Sequence, residues 1–385
     1  MEPQATAFPQ GLTFDDVLLL PGYSDFSRGD IDLETNLTKK IMLKLPFVSS
    51  PMDTVTEHAL AISLAQLGGI GIIHRNLSVS DQADEVAKVK SFDSAHDLRV
   101  GAAIGASSGF EARVEALVKA GVDVIVLDSA HGFAKPVVDA VRFIKNKYST
   151  LQIIAGSVAT KDGAQALIDA GADALRVGMG PGAICTTRII SGMGVPQITA
   201  IIETATVAKK NGVAIIADGG IKYSGDIVKA LAAGASAVMM GSFFASCKES
   251  PGEVVELTRE QVPLRFQSIF EKDKSTFLFK QYRGMGSVAA MKKGAEVKSE
   301  DEFHGKNYKD RVLVAEGVEG LVPVKGTVEQ LVMQATGGIK SGMYYVGAKT
   351  IEELTEKAQF IQITHASLTE SHPHEVLITN PGENY

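Results

Sequence analysis

The residues best equipped for chemistry lie in one stretch, Gly178-Met179-Gly180-Pro181-Gly182-Ala183-Ile184-Cys185-Thr186-Thr187-Arg188. Three glycines and a proline ahead of a cysteine make a loop, because they allow backbone angles that no regular element uses. Two threonines and an arginine follow directly, so the thiol is expected among hydroxyls and positive charge. Such surroundings favour the thiolate and make it a nucleophile. A lone cysteine is more often a packing residue, but a packed core needs no glycine-dense loop. Cys185 is the candidate nucleophile.

Three further segments could serve it. Asp128-Ser129, Asp218-Gly219-Gly220 and Gly241-Ser242 each end an apolar run. Glycines there let backbone N–H groups approach a phosphate closely. A carboxylate such as Asp218 is the natural acceptor for the paired hydroxyls of a ribose. These features predict a phosphorylated small molecule as substrate.

Something must bring these segments to one place. Short apolar runs recur at Pro46–Ser50, Gly69–His74, Val100–Gly105, Val122–Ser129, Gln152–Val158, Ala174–Gly180, Ala214–Gly220 and Ser236–Ser242. They are rich in Val, Ile and Ala without polar alternation, as strands buried on both faces are. Helical periodicity fills most of the gaps, as in Glu111–Ala120, Lys161–Ala170 and Gly225–Ala233. Each of these three ends in a glycine suited to a left-handed cap, Gly121, Gly171 and Gly234. Eight buried strands alternating with helices predict an α/β fold, a (β/α)8 TIM barrel. A doubly wound sheet is the alternative, but its Gly-x-Gly-x-x-Gly turn is absent after an early strand. In the barrel reading Cys185 follows strand six, and Asp128, Asp218 and Gly241 end strands four, seven and eight. All lie on the C-terminal rim, where barrel enzymes place their chemistry.

Composition narrows the function classes. The chain has 385 residues, 45% of them hydrophobic and 22% charged, which describes a soluble globular protein. A net charge of −7 gives no basic field for nucleic acid. No apolar run approaches a membrane span, and the first residues lack the pattern of a signal peptide. Two cysteines, Cys185 and Cys247, suit a reducing cytoplasm. Residues 1–45 read as an irregular lead-in. Residues 243–335 break the barrel pattern: Glu256–Lys280 reads as a protruding hairpin, and charged Met291–Arg311 lies in a flap over about 291–315. Composition alone makes that stretch a solvated loop. Ile351–Phe360 reads as an amphipathic helix. His372 and His374 lack the spaced partners of a divalent-metal site.

The chain resembles the inosine-5′-monophosphate (IMP) dehydrogenases and their sister family, the guanosine monophosphate (GMP) reductases. The resemblance rests on Ser49–Glu57, Gly68–His74, Gly178–Arg188, Ala217–Gly220, Val238–Ser242, Tyr282–Ser287 and Glu316–Gly320, and covers nearly the whole chain. It implies a covalent adduct between Cys185 and C2 of the purine, with hydride passing to NAD and hydrolysis giving xanthosine monophosphate. Thr187 and Glu316 would relay a proton. Ser49, Asp218, Gly219, Gly220, Met240, Gly241, Ser242, Tyr282, Gly284, Met285, Gly286 and Glu316 would hold the nucleotide. Asp128, Ser129 and Gly178 would lie at the cofactor.

The same resemblance separates the sisters. Dehydrogenases bind potassium through carbonyls of the cysteine loop, here Gly180, Gly182 and Cys185, and a neighbouring subunit's tail, here Glu370, Ser371 and His372. Reductases usually lack that tail, and tend to have serine where Gly286 stands. Ser341-Gly342-Met343 also favours the dehydrogenase, and a homotetramer is implied. Three positions depart from the dehydrogenase pattern. The CBS modules usually inserted after the second strand are missing, leaving a short join near 90–99 and a single catalytic domain over 1–385. Ala183 and Ser157 replace a usual serine and asparagine. The flap has no adjacent Arg-Tyr pair, only Tyr308 and Arg311. A reductase would need no such pair, since it releases ammonia and takes hydride from NADPH. A nucleotide sensor without turnover is the third reading, disfavoured by the intact Cys185-Thr186-Thr187.

Overall fold

The eight apolar runs become eight parallel strands in the computed structural model, which describes residues 8–93, 97–264, 275–297, 314–376 and 378. They are β1 (Phe47–Ser49), β2 (Ile70–Ile73), β3 (Val100–Ile104), β4 (Val124–Asp128), β5 (Gln152–Val158), β6 (Ala174–Val177), β7 (Ala214–Asp218) and β8 (Ala237–Met240). Each pairs with its neighbour in sequence, and β8 closes on β1, so the sheet has no free edge. Helices α1 (His58–Gln66), α2 (Val79–Phe92), α3 (Phe110–Lys119), α4 (Lys135–Lys147), α5 (Lys161–Asp169), α6 (Gln197–Lys210) and α7 (Ser224–Ala232) form most of the outer ring. Gly121, Gly171 and Gly234 carry positive φ, as their cap role requires. Among the described residues no helix is long and apolar enough to cross a membrane.

The eighth ring position is filled from far along the chain. After β8 come a three-stranded antiparallel sheet, β9 (Val254–Thr258), β10 (Thr276–Arg283) and β11 (Glu319–Pro323), and helix α8 (Val288–Glu296). Only then does α9 (Val328–Val346) pack against both α7 and α1. Its apolar face is regular: Leu331, Val332, Ala335, Ile339 and Met343 are buried. Glycines obscure it in the sequence because they are poor helix formers. Here they allow close approach, since a methyl group on Gly342 would stand 2.7 Å from Val228 Cγ2.

Other expectations shift. The hairpin expected at Glu256–Lys280 is the first pair of the three-stranded sheet. The Lys280 ammonium is buried there and donates to the carbonyls of Cys247 (3.0 Å), Lys248 (2.7 Å) and Ser250. The helix expected at Ile351–Phe360 stops at Lys357, and Phe360–Gln362 pairs with Val17–Leu19. The lead-in is therefore less irregular than its composition suggests. Its hairpin, Thr35–Asn36 with Met42–Leu43, also brings Leu37, Ile41 and Leu43 into the barrel's inner core. Most of the flap, including Tyr308 and Arg311, lies outside the described residues, as do 94–96 of the short join.

The barrel interior changes character at its C-terminal end. Val48, Ile70, Ile72, Val124, Val126, Ile154, Ala174, Ile216 and Met239 fill it below. Side chains alternate along a strand, so the next inward positions after Val126, Ala174 and Ile216 are Asp128, Arg176 and Asp218. Arg176 Nη1 lies 2.8 Å from Asp128 Oδ1, and its Nη2 donates to Ser157 Oγ at 2.9 Å. Its Nε stands 3.7 Å from Asp218 Oδ2 and is buried without a hydrogen bond. Arg75 Nε reaches the other Asp128 oxygen at 3.3 Å.

The two carboxyls therefore titrate in opposite directions. Burial raises both, but at Asp128 the charges of Arg176 and Arg75 outweigh it and hold the group below the ordinary aspartate range. At Asp218 burial prevails over Arg176, the charge of Asp128 adds to it, and the pKa lies above that range. Asp128 thus stabilises the fold above the ordinary aspartate pKa of about 3.9 and loses that contribution as pH falls through its depressed value. Asp218 favours the protonated form, so its ionisation costs stability as pH rises through its raised value. At pH 7, Asp128→Asn should cost about 3 kcal/mol, because Arg176 loses its close partner. Asp218→Asn should cost less than about 1 kcal/mol, within the range of a site residue kept for function. Urea unfolding of both variants at pH 7 measures this, and the reverse ranking would contradict the assignment.

Candidate active site

A cavity of about 1800 Å³ opens at the C-terminal ends of the strands, and Cys185 lines it. The cysteine loop reaches that position through its glycines. Gly178 and Gly180 hold φ of 151° and 81°, angles that strain any side chain. A methyl group on Gly180 would also stand 2.6 Å from Arg188 Cγ. The Arg188 guanidinium donates to the carbonyls of Met179 (3.3 Å) and Val195 (2.7 Å). Loop carbonyls need donors, and the hydrogen bonds of Arg188 go to closing the loop rather than to the thiol.

The thiol's partner is Thr187. Cys185 Sγ donates to Thr187 Oγ1 at 3.2 Å, and that hydroxyl donates to Glu316 Oε2 at 2.9 Å. Because the carboxylate accepts the hydroxyl proton, a lone pair of Thr187 is left facing the sulfur. The chain Cys185–Thr187–Glu316 is a path for one proton.

Backbone pairing fixes its geometry. Thr186 N donates to Glu316 O and Val318 N to Ile184 O, both at 3.0 Å, around an antiparallel bridge between Cys185 and Gly317. On its other side the 316–318 segment meets 284–286. Gly284 N donates to Val318 O (3.0 Å) and Glu316 N to Gly286 O (3.1 Å). Three short segments thus lie side by side, and their closeness depends on glycine. A methyl group on Gly317 would crowd Ser287 N at 3.3 Å, and one on Gly284 would crowd Gly317 Cα at 3.3 Å.

A second wall comes from β7 and β8. Gly219 and Gly220 take consecutive left-handed angles of 89° and 80°. The cysteine loop lies against them, with Pro181 Cγ 3.1 Å from where a Gly219 methyl would sit. Tyr282 is buried, and burial followed by the charge of Asp218 pushes its phenol pKa well up, so it remains a neutral donor. The backbone N–H groups of Gly220, Gly241 and Ser242 find no acceptor among the described residues. Such a set suits a phosphate. The carbonyls of Gly180 and Cys185 likewise accept no hydrogen bond among the described residues, whereas that of Gly182 accepts Cys185 N at 3.0 Å.

Most residues expected at the site line this cavity. Asp128, Gly178, Gly180, Gly182, Cys185 and Thr187 do. So do Asp218, Gly219, Gly220, Met240, Gly241 and Ser242, together with Tyr282, Gly284, Met285, Gly286 and Glu316. Ser49 does not: it is fully buried and accepts from Thr56 Oγ1 at 2.8 Å, while its neighbour Ser50 lines the cavity. Ser129 turns its hydroxyl to its own loop, at His131 O, and Ala130 lines the cavity instead. Glu370, Ser371 and His372 lie at the end of the His365–Glu370 helix, where the His372 ring is 5.9 Å from that of Tyr223.

Sequence reasoning passed over Arg75, Arg176 and Gln197. Arg176 was detectable, since period-two alternation from Ala174 points it inward. Gln197 Nε2 donates to Val177 O (2.9 Å) and Asp218 O (3.0 Å), tying the ends of β6 and β7. Nothing in the sequence around Gln197 signals that role.

Residues 11–374 match the IMP dehydrogenase / GMP reductase domain. The chain is 45% identical to the inosine-5′-monophosphate dehydrogenase of Cryptosporidium parvum, over 98% of each chain. It is 43% identical to that of Borreliella burgdorferi, over 95% of this chain and 97% of the relative. It is 40% identical to that of Bacillus subtilis, over 98% of each. This last alignment runs to 500 positions against a chain of 385 residues, so the Bacillus protein carries a long segment that this chain lacks. With this match spanning the barrel and the cysteine loop alike, the chain belongs to the IMP dehydrogenase / GMP reductase family.

Proposed function

We propose that this chain oxidises IMP to xanthosine 5′-monophosphate in guanine nucleotide biosynthesis, as an IMP dehydrogenase acting through Cys185. The observation that carries the reading is the Cys185–Thr187–Glu316 chain in a cavity that also offers a phosphate cradle, in a protein whose relatives bear that name. Cys185 loses its proton along Thr187 to Glu316, and the thiolate adds to C2 of the purine. The C2 hydride leaves for NAD, which supplies the acceptor. Glu316 releases that first proton to solvent, water adds at C2 and passes one of its protons through Thr187 to Glu316, and the departing sulfur takes that proton. The C–S bond breaks, so the thiol is restored as product leaves.

The remaining residues bind and orient. The N–H groups of Gly220, Gly241 and Ser242, with the neutral phenol of Tyr282, hold the phosphate. Asp218, next to Gly219, accepts from the ribose hydroxyls; Met240, Gly284, Met285 and Gly286 border the base. Asp128, with Ala130 and Gly178 beside it, faces the cofactor ribose. The buried Nε of Arg176, which lacks an acceptor, supports an oxygen-bearing ligand on that side. Potassium fits the neutral carbonyls of Gly180, Gly182 and Cys185, completed by Glu370, Ser371 and His372 of a second copy in a cytoplasmic homotetramer. Its charge would hold the cysteine loop in register. On this reading residues 1–385 form one catalytic domain.

Two assays test the reading. IMP with NAD and potassium should generate NADH, and GMP with NADPH should leave the reduced cofactor untouched. NADPH consumption would make the chain a reductase, and nucleotide binding without turnover would make it a sensor. Cys185→Ala should lower kcat by about 10³-fold or more while IMP still binds. Thr187→Val should lower kcat by about 10²-fold with little change in KM for IMP, the range of one lost proton-transfer group. Near wild-type turnover by Cys185→Ala would remove the covalent mechanism, and by Thr187→Val the proton relay. Replacing potassium by sodium should slow turnover severalfold, and indifference to the ion would remove the cation site.

A further inference from the structure

We propose that a network of Asp53, Arg283 and Asn76, none of which lines the cavity, is the positioning device that sets Glu316 against Thr187. The inference rests on the reading that Thr187 and Glu316 carry the proton of Cys185.

Asp53 follows β1 and its side chain is fully buried. Arg283, the last residue of β10, grips it with both prongs, Nε to Oδ1 at 3.0 Å and Nη2 to Oδ2 at 2.5 Å. This bidentate fork fixes direction as well as distance. Asn76, after β2, is also buried, and its amide donates to Asp53 Oδ2 (2.8 Å) and to Ala290 O at the start of α8 (3.0 Å). The backbone of Arg283 is held as well, by Thr54 Oγ1 at 3.2 Å. His74 Nδ1 accepts from Asn76 N at 3.1 Å, and the far side of the ring meets Glu57 at 3.2 Å. A fully buried carboxylate held by a guanidinium fork and an amide is rigid, and removing one arm strands the others.

Its position gives that rigidity a use. β10 belongs to the three-stranded sheet outside the barrel, and Arg283 is the point at which its end is pinned to the loops after β1 and β2. The next residues, Gly284 to Gly286, hold Val318 and Glu316 by their backbones, and 316–318 in turn hold the cysteine loop. Every link beyond Arg283 is a glycine-rich segment with few side chains to lock it. Misplacing a reacting group by about 1 Å can cost on the order of 10²-fold in rate.

Arg283→Lys keeps the charge and loses the fork; Asn76→Ala keeps the fork and loses the brace to α8. In the wild-type background each should lower kcat about 10-fold or more while KM for IMP stays within about threefold, because neither substitution removes a group that lines the cavity. If the network acts through Glu316, Arg283→Lys added to Glu316→Gln should slow the enzyme no further than Glu316→Gln alone. Losses that multiply would overturn the proposal, as would a rise in KM with kcat retained, or wild-type kcat in both single variants. Should Arg283→Lys not fold, the Asn76→Ala pair of measurements decides. Iodoacetamide alkylation of Cys185, located by peptide mass, gives a readout independent of substrate. Both single variants should change its rate in the direction Glu316→Gln does, and an unchanged rate overturns the proposal. A wild-type protein inert towards IMP, but showing this alkylation pattern, would sink the functional reading and leave the positioning role standing.

Discussion

A guanidinium buried at the mouth of a closed barrel is the constraint on which the site depends. Arg176 occupies an inward position that three strands must share, so β4 and β7 have to present carboxylates to it at that level. Below it, branched and small apolar side chains satisfy the interior without regard to direction. At this layer direction matters, because a charge out of water is tolerable only when paired. The pairing is lopsided. Asp128 takes the close contact, and Asp218 is left partly unsatisfied above it, with its carboxyl directed at the cavity floor. A site residue denied a full internal partner is available to an external one.

The walls above that floor are made from backbone. Gly219, Gly220, Gly284 and Gly317 bring four segments within van der Waals contact where any side chain would hold them apart. N–H groups held in this way need no reorganisation when a ligand arrives, which is the physical basis of electrostatic preorganisation. The side chains that remain, Cys185, Thr187, Glu316 and Tyr282, project from these tightly packed turns.

The eight strands were legible because burial on both faces leaves uninterrupted apolar runs, and the helix ends because a left-handed cap needs glycine. Cys185 was legible from its loop. Arg176 was hidden inside a run that reads as apolar, although alternation from Ala174 exposes it. Helix α9 was hidden by Gly337, Gly338 and Gly342, whose low helix propensity in sequence conceals what Gly338 and Gly342 gain in packing against Ser224 and Val228 of α7. The role of Arg188 in closing its own loop was not legible, because its acceptors are backbone carbonyls of Met179 and Val195. Asp53 and Arg283 are more than two hundred residues apart, and no local pattern announces a pair formed across that separation.

Thr187 and Glu316 are separated by 129 positions. During synthesis, a chain that has emerged through Ala245 has delivered all eight strands but neither α9 nor the acid of the relay. Contacts so distant in sequence form late. Until the last third arrives, the outer wall has a gap between α7 and α1, and the cysteine stands on a loop with no acid to take its proton. On the proposed mechanism, an unfinished chain therefore carries Cys185 without its proton acceptor.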